Sequence, residues 1–132
     1  MMETIQVRTA SRIQFVDMTS RVRDVIARSG VDNGMAIVYV PHTTAAVTIN
    51  EAADPSVVAD IIAVTSQLVP LLESYRHMEG NSDAHIKASL IGSSIHLIVS
   101  SGEPVLGTWQ GVFFCEFDGP RTRKVHVKVV SG

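Results

Sequence analysis

Apolar positions alternate in the first and last thirds of the chain and recur at helical spacing between them. Ile5 and Val7, then Ile13, Phe15 and Val16, lie on alternating runs separated by Thr9-Ala10-Ser11, which predicts a hairpin or two short strands. Val22, Val25 and Ile26 mark one face of a helix that Thr19 or Ser20 can cap and Gly30 can close in a left-handed exit. Residues 35–40 are almost continuously apolar, which predicts a strand covered on both faces and ended by Pro41. Extended structure resumes over residues 45–50, so Pro41-His42-Thr43-Thr44 is a bend between strands.

Asp54-Pro55 starts a second helix, with Asp as cap and Pro in the first turn, where its missing N–H costs nothing. Val57, Val58, Ile61, Ile62, Leu68, Val69 and Leu72 follow at helical spacing, and Pro70 kinks that helix or ends it near Val69. A third helix runs from Asp83 to Leu90 and is closed by Gly92. Ile95, Leu97 and Val99 form a strand, and residues 100–104 turn the chain. Residues 110–117 form another strand, Asp118-Gly119-Pro120-Arg121 a tight turn with a hairpin signal, and Val125, Val127 and Val129 the last strand. About eight short strands and three helices, strands first and last, predict a single α+β domain over residues 1–132, its sheet mostly antiparallel with helices packed on one face.

Composition narrows the function classes. The 132 residues are 45% hydrophobic and 18% charged, as expected of one domain with a real core. A formal charge of −2 gives no general attraction to nucleic acid, and no apolar run is long enough to span a bilayer, so neither nucleic acid nor membrane is expected as a partner. One cysteine, Cys115, and no apolar leader predict a cytoplasmic location.

The candidate chemistry concentrates in residues 76–87, where His77, Glu79, Asn81, Asp83 and His85 fall within nine positions. Asn81-Ser82-Asp83 offers capping side chains at a helix start, where free N–H groups and the dipole favour anions. His42, just after a strand, adds a third imidazole, and three imidazoles with an open fourth position match a catalytic zinc-type site. The alternative for each histidine is an ordinary surface or structural role. Thr43 and Thr44 can cradle a phosphate or simply make a turn. Asn50 and Glu51 sit before the Asp54 cap, and Glu51 is read as a general base or as part of a capping network. Trp109 and Gln110, bracketed by Gly107 and Gly111, either face a ligand or satisfy the local backbone, and Gly111 marks a close approach. Arg121 is the anion-binding cation, while Arg123 and Lys124 are read as a solvated hairpin tip. Cys115 reads as a packed small hydrophobe, and His96 and His126 as solvent-face or structural.

Pro41-His42-Thr43-Thr44 with Asn50-Glu51, His77 with Asn81-Ser82-Asp83-Ala84-His85, residues 106–111 and residues 116–121 together resemble the YjbQ-like family, over nearly the whole chain. Its members are often labelled secondary thiamine-phosphate synthases. The resemblance implies an antiparallel half-barrel, so the expected architecture is a half-barrel or a sandwich. It also implies a homotrimer and a pocket lined by the histidine motifs that takes a metal; on the reading of the residues above, that metal is divalent, zinc or magnesium, on His42, His77 and His85. The activity attached to the family couples an aminopyrimidine diphosphate to a thiazole phosphate, releasing pyrophosphate. The dedicated enzyme for that reaction resembles a barrel of eight βα units, which needs roughly 200 residues or more, so a shared reaction here would be convergent. With no Gly-rich diphosphate loop, metal and side chains would have to hold the phosphates.

The leading expectation is therefore an enzyme acting on a phosphorylated small molecule. Glu51, Asp83 and His85 are its catalytic candidates, and Thr43, Thr44, Asn50, Asn81, Ser82, Trp109, Gln110 and Arg121 contact substrate. The alternatives are a metal-dependent phosphoester hydrolase and a trimeric metal- or metabolite-binding protein without turnover.

Overall fold

The structure is a computed structural model, described here for residues 1–72 and 74–132. Its elements run β1 (Met2–Arg8), β2 (Gln14–Asp17), α1 (Thr19–Ser29), β3 (Gly34–Tyr39), β4 (Ala45–Glu51), α2 (Pro55–Leu68), α3 (Ser82–Ile91), β5 (Ser94–Ser100), β6 (Glu103–Pro104), β7 (Gln110–Glu116) and β8 (Thr122–Ser131). Five strands pair in the order β1-β8-β3-β5-β6 and three in the order β2-β7-β4, every pairing antiparallel. Together with the three helices they form a single-domain α+β half-barrel.

The main core is built from the inward positions of both sheets, among them Val38, Val47, Phe114 and Val127, with Val22, Val25 and Ile26 of α1. A second apolar cluster, with Ala46, Phe113, Cys115 and Phe117, lies against Ala84 and Ala88 of α3 and receives Val58 of α2. Burial pushes the Cys115 thiol far up, so it stays protonated and inert.

Four sequence expectations change. First, β3 is covered on one face only: Ala36 and Val38 are buried, whereas Met35 and Tyr39 point outward with Ile98 and Val130. Its apolar run is therefore an alternating strand with large outward residues. Second, residues 117–121 do not close a hairpin. They carry the chain from the three-stranded sheet to the five-stranded one, as residues 9–13 do between β1 and β2. The two corners bond to each other, Thr9 N–H to the Arg121 carbonyl at 2.9 Å and Gly119 N–H to the Arg12 carbonyl at 2.9 Å. A Cβ on Gly119 would sit 2.4 Å from the Ser11 carbonyl oxygen, so this crossing needs glycine.

Third, Asp17 rather than Thr19 or Ser20 holds the start of α1, accepting from the Thr19 N–H at 2.9 Å and the Thr19 hydroxyl at 2.6 Å. Gly30 does close the helix in the left-handed region, and Asp54 caps α2 through the Ser56 N–H. Fourth, α2 ends at Leu68 before Pro70, but none of its residues is buried, and Val64 and Leu68 are exposed. No helix among the described residues is long and apolar enough to cross a membrane.

Candidate functional site

The bend after β3, the loop into α3 and the corner after β7 meet at one end of the three-stranded sheet. They enclose a cavity of about 420 Å³ whose walls include His42, Thr43, His77, Asn81, His85 and Arg121, together with Glu79 and Asp118. The topology explains the meeting. β4 starts at Ala45 opposite Glu116 of β7, so the segment before β4 and the segment after β7 emerge side by side.

Beneath this end lies a buried ion pair that does not read as one in the sequence. Glu116 is fully buried and Arg123 is 3% exposed. The Arg123 Nε donates to Glu116 Oε1 at 2.9 Å, and its Nη2 donates to the Thr44 hydroxyl at 2.8 Å. Glu116 also accepts from the Thr9 hydroxyl at 2.9 Å and the Asp118 N–H at 3.0 Å. Burial opposes the Glu116 charge, but Arg123 and the other donors outweigh it and hold the carboxyl below the usual glutamate range. Arg123 is thus an internal strut that fixes Thr44, not part of a solvated hairpin tip. The signal was available: Arg123 stands in the same two-residue phase as Val125, Val127 and Val129, which face the core.

His42 is fixed by its own backbone contact. Its Nε2 accepts the Lys124 N–H at 2.9 Å, so the neutral ring carries its proton on Nδ1. Burial lowers its basicity, and the nearby Arg123 charge adds to that. His77 and His85 sit edge to face with ring centroids 5.1 Å apart, and Glu79 Oε2 lies 3.8 Å from His77 Nε2. Asn81 donates to Asp118 Oδ2 at 2.8 Å, which leaves its own side-chain oxygen buried with no protein partner. Arg121 holds Asp118 through Nε to the carbonyl (2.9 Å) and Nη2 to the carboxylate (3.1 Å), while half its side chain remains exposed on the cavity wall.

The proposed three-histidine metal set does not fit this arrangement. With Nε2 of His42 accepting a hydrogen bond, the other nitrogen presents an N–H rather than a lone pair. Among the described residues, no three His, Cys, Asp or Glu side chains converge as a metal-binding group.

Several expected site residues lie elsewhere. Asp83 is a buried residue of α3, its two oxygens taken by Arg12 at 2.9 and 3.1 Å, with Lys87 Nζ at 3.5 Å. Burial works against its charge, but Arg12 and Lys87 prevail and keep its carboxyl below the ordinary range, so its oxygens are engaged as the counter-ion of these two cations. Ser82 only opens α3, and Asn81 stands at the cap position without a side-chain capping bond. Asn50 and Glu51 lie at the opposite end of β4, about 20 Å from Ala45 at the rise of a strand. Glu51 pairs there with Gln110. Gln110 bonds the Gly107 N–H at 2.8 Å, and Asn50 bonds the Glu51 N–H at 2.8 Å. A Cβ on Gly111 would meet Ala52 Cβ at 2.6 Å, the close approach expected of that glycine. Trp109 is exposed at this far end. Glu79 stands in the candidate stretch with no role assigned from sequence, and Asp118 reads there only as part of a turn; both line the cavity.

The comparisons agree with this fold. A family profile described as UPF0047 protein YjbQ-like matches residues 3–132. The chain is similar to the UPF0047 protein of Methanocaldococcus jannaschii, at 53% identity over 96% of this chain and 91% of that one. It is also similar to the UPF0047 protein YugU of Bacillus subtilis, at 47% identity over 99% and 100%. Among solved structures, a YjbQ/UPF0047-family protein of Clostridium acetobutylicum matches with a TM-score of 0.95 and 51% identity, covering 97% of this chain and 99% of that one. A YbjQ-like protein of unknown function from Sulfolobus solfataricus matches with a TM-score of 0.96 and 32% identity over 100% and 97%.

Proposed function

Because the chain belongs to the YjbQ-like UPF0047 family, we propose that it is an enzyme acting on a phosphorylated small molecule. The named reaction is thiamine-phosphate synthesis from an aminopyrimidine diphosphate and a thiazole phosphate. The observation that carries this reading is one cavity lined by a half-exposed guanidinium, an oriented imidazole and an imidazole pair. In this reading Arg121 and the Nδ1–H of His42 hold phosphate oxygens, with Thr43 beside them. His85 moves the proton, and His77 with Glu79 behind it sets the orientation of that ring. Thr44 acts through Arg123 to keep the bend in place. No step is routed through a metal.

A phosphoester hydrolase using the same residues is the second reading. It is favoured by the exposure of His77, whose side chain is 43% accessible, since coupling must exclude water and hydrolysis must admit it. The homotrimer implied by the resemblance is also part of the proposal. Its support is the uncovered apolar face of α2, where Val57, Ile61 and Val64 line a shallow groove.

The test is turnover. Thiamine phosphate formation and phosphate release from a panel of phosphomonoesters are followed with the parent protein and with His85→Ala. The proposal expects one of these reactions in the parent and a loss of about 100-fold or more in the variant with phosphate binding retained. Phosphate binding without turnover in the parent would instead make the chain a binding module.

A further inference from the structure

A second cavity of about 490 Å³ adjoins the first and shares His42, Thr43 and His85 with it. Its remaining walls are Ala45, Ala88, Ser89, Gly92 and Ser93. The two chambers differ in charge. The first is lined by Glu79, Asp118, Arg121 and Arg123, whereas the described residues lining the second include no Asp, Glu, Lys or Arg. Away from the shared wall of His42 and His85, an ionised group has no charged partner there, and the small side chains leave room for a flat group.

The walls of the second chamber are tied together by hydrogen bonds. The Val40 N–H donates to the Ser93 carbonyl at 2.8 Å and the Val47 N–H to the Gly92 carbonyl at 3.1 Å, tying this turn to the strands on either side. The Gly92 N–H donates to the Ala88 carbonyl at 2.9 Å, and the Ser89 hydroxyl donates to the His85 carbonyl at 2.9 Å. Gly92 itself has a φ of +105°, a conformation that a side chain would strain, so the open wall at this point is fixed by the backbone. A site held on helix and strand ends in this way keeps its shape without a ligand.

We infer that this neutral chamber is the subsite for the uncharged, ring-sized half of a phosphate ester whose phosphate lies in the adjoining charged chamber, the two halves joined beside His42 and His85. The inference rests on the phosphate reading of the first chamber and adds the class of substrate: one anionic end and one neutral, flat end. A molecule charged at both ends does not match the pair of chambers.

The experiment measures dissociation constants of inorganic phosphate, phenyl phosphate and phenol by calorimetry or NMR. The proteins are the parent, Ser89→Phe, Ser93→Phe and the control Leu90→Phe. Ser89 and Ser93 are exposed and line the chamber; Leu90 is exposed on the same helix and does not. The expected result is that phenyl phosphate binds the parent about tenfold or more tightly than phosphate does. Either serine replacement should erase that advantage while phosphate binding stays within about twofold and the control behaves as the parent. Equal affinities for phosphate and phenyl phosphate in the parent would overturn the inference, as would serine replacements that weaken both ligands alike. Phenol binding that Ser89→Phe abolishes, with no phosphate binding at all, would keep the neutral subsite and remove the phosphate reading. Binding of none of the three would remove both.

Discussion

The two ends of β4 carry polar groups of the same kinds and use them differently. At the Ala45 end, His42, Thr43 and Thr44 border a cavity and stand on a fully buried Glu116–Arg123 pair. At the Glu51 end, Asn50, Gln110 and Asp54 spend their side chains on backbone N–H groups no more than three residues away. Long-range anchoring of the polar residues that border the cavity marks the first end. The bond from Arg123 to Thr44 joins residues 79 apart, and the one from Lys124 N–H to His42 joins residues 82 apart. A residue held by its own turn has a local task already, whereas a residue held from across the fold keeps its remaining edge for a ligand.

Breaking the anchor should have the largest effect. Glu116→Gln leaves Arg123 buried without a counter-charge and is expected to cost about 3–5 kcal/mol, read by urea unfolding. Asp83→Asn, which removes the counter-ion of Arg12 and buried Lys87, should also destabilise strongly, yet leave phosphate affinity little changed in the protein that remains folded. Selective loss of binding with full stability would return Asp83 to the site.

Next in size is Arg121→Ala. It should weaken inorganic phosphate binding by about tenfold or more, with the unfolding midpoint barely moved, because the exposed guanidinium holds only its own corner. At the far end, Glu51→Gln and Trp109→Ala should leave phosphate affinity within about twofold. A tenfold loss from either would join the two ends into one site.

The acid limb of stability gives a further check. Glu116 has a folded pKa below its ordinary value near 4.5, so its contribution is complete above that value and fades as the pH falls through the lower folded one. His42 is shifted down from 6.5, so the unfolded chain takes up its proton first and stability falls as the pH drops below 6.5. His42→Gln should remove the part of the loss that begins as the pH drops below 6.5, without altering the steeper loss that Glu116 causes at lower pH. An unchanged curve would mean that the ring is not held as described. The smallest effect expected is that of added zinc or magnesium, which should change phosphate affinity less than about twofold, since no three-ligand group is assembled among the described residues.

Much of the fold was legible because it depends on local signals. Gly30, Asp54-Pro55 and Pro70 place helix ends by backbone chemistry alone, and Val125, Val127 and Val129 reveal the inner face of β8. The partners of each face were less accessible. Nothing in residues 35–40 says that their second face lacks a covering layer, and the Asp118-Gly119 signal is identical for a hairpin and for a crossing between sheets. The same limit applied to the site. His42, His77, His85, Asn81 and Arg121 line one cavity, reached from the bend before β4, the loop and first turns of α3 and the corner after β7. Asp83 and Glu51 have the right chemistry, but their use is decided by Arg12, Lys87 and the run of β4, none of which is a local matter. The charge of Arg123 points to solvent and its phase to the core, and the phase decides, because Glu116 and Thr44 supply its partners inside.

The most direct test of the central claim is backbone amide shift mapping during titration with inorganic pyrophosphate. The account predicts saturable shifts in residues 42–44, 77–85 and 118–121, with residues 50–51 and 109–110 unmoved. Shifts centred on Glu51 and Trp109, or none at either end of β4, would contradict it.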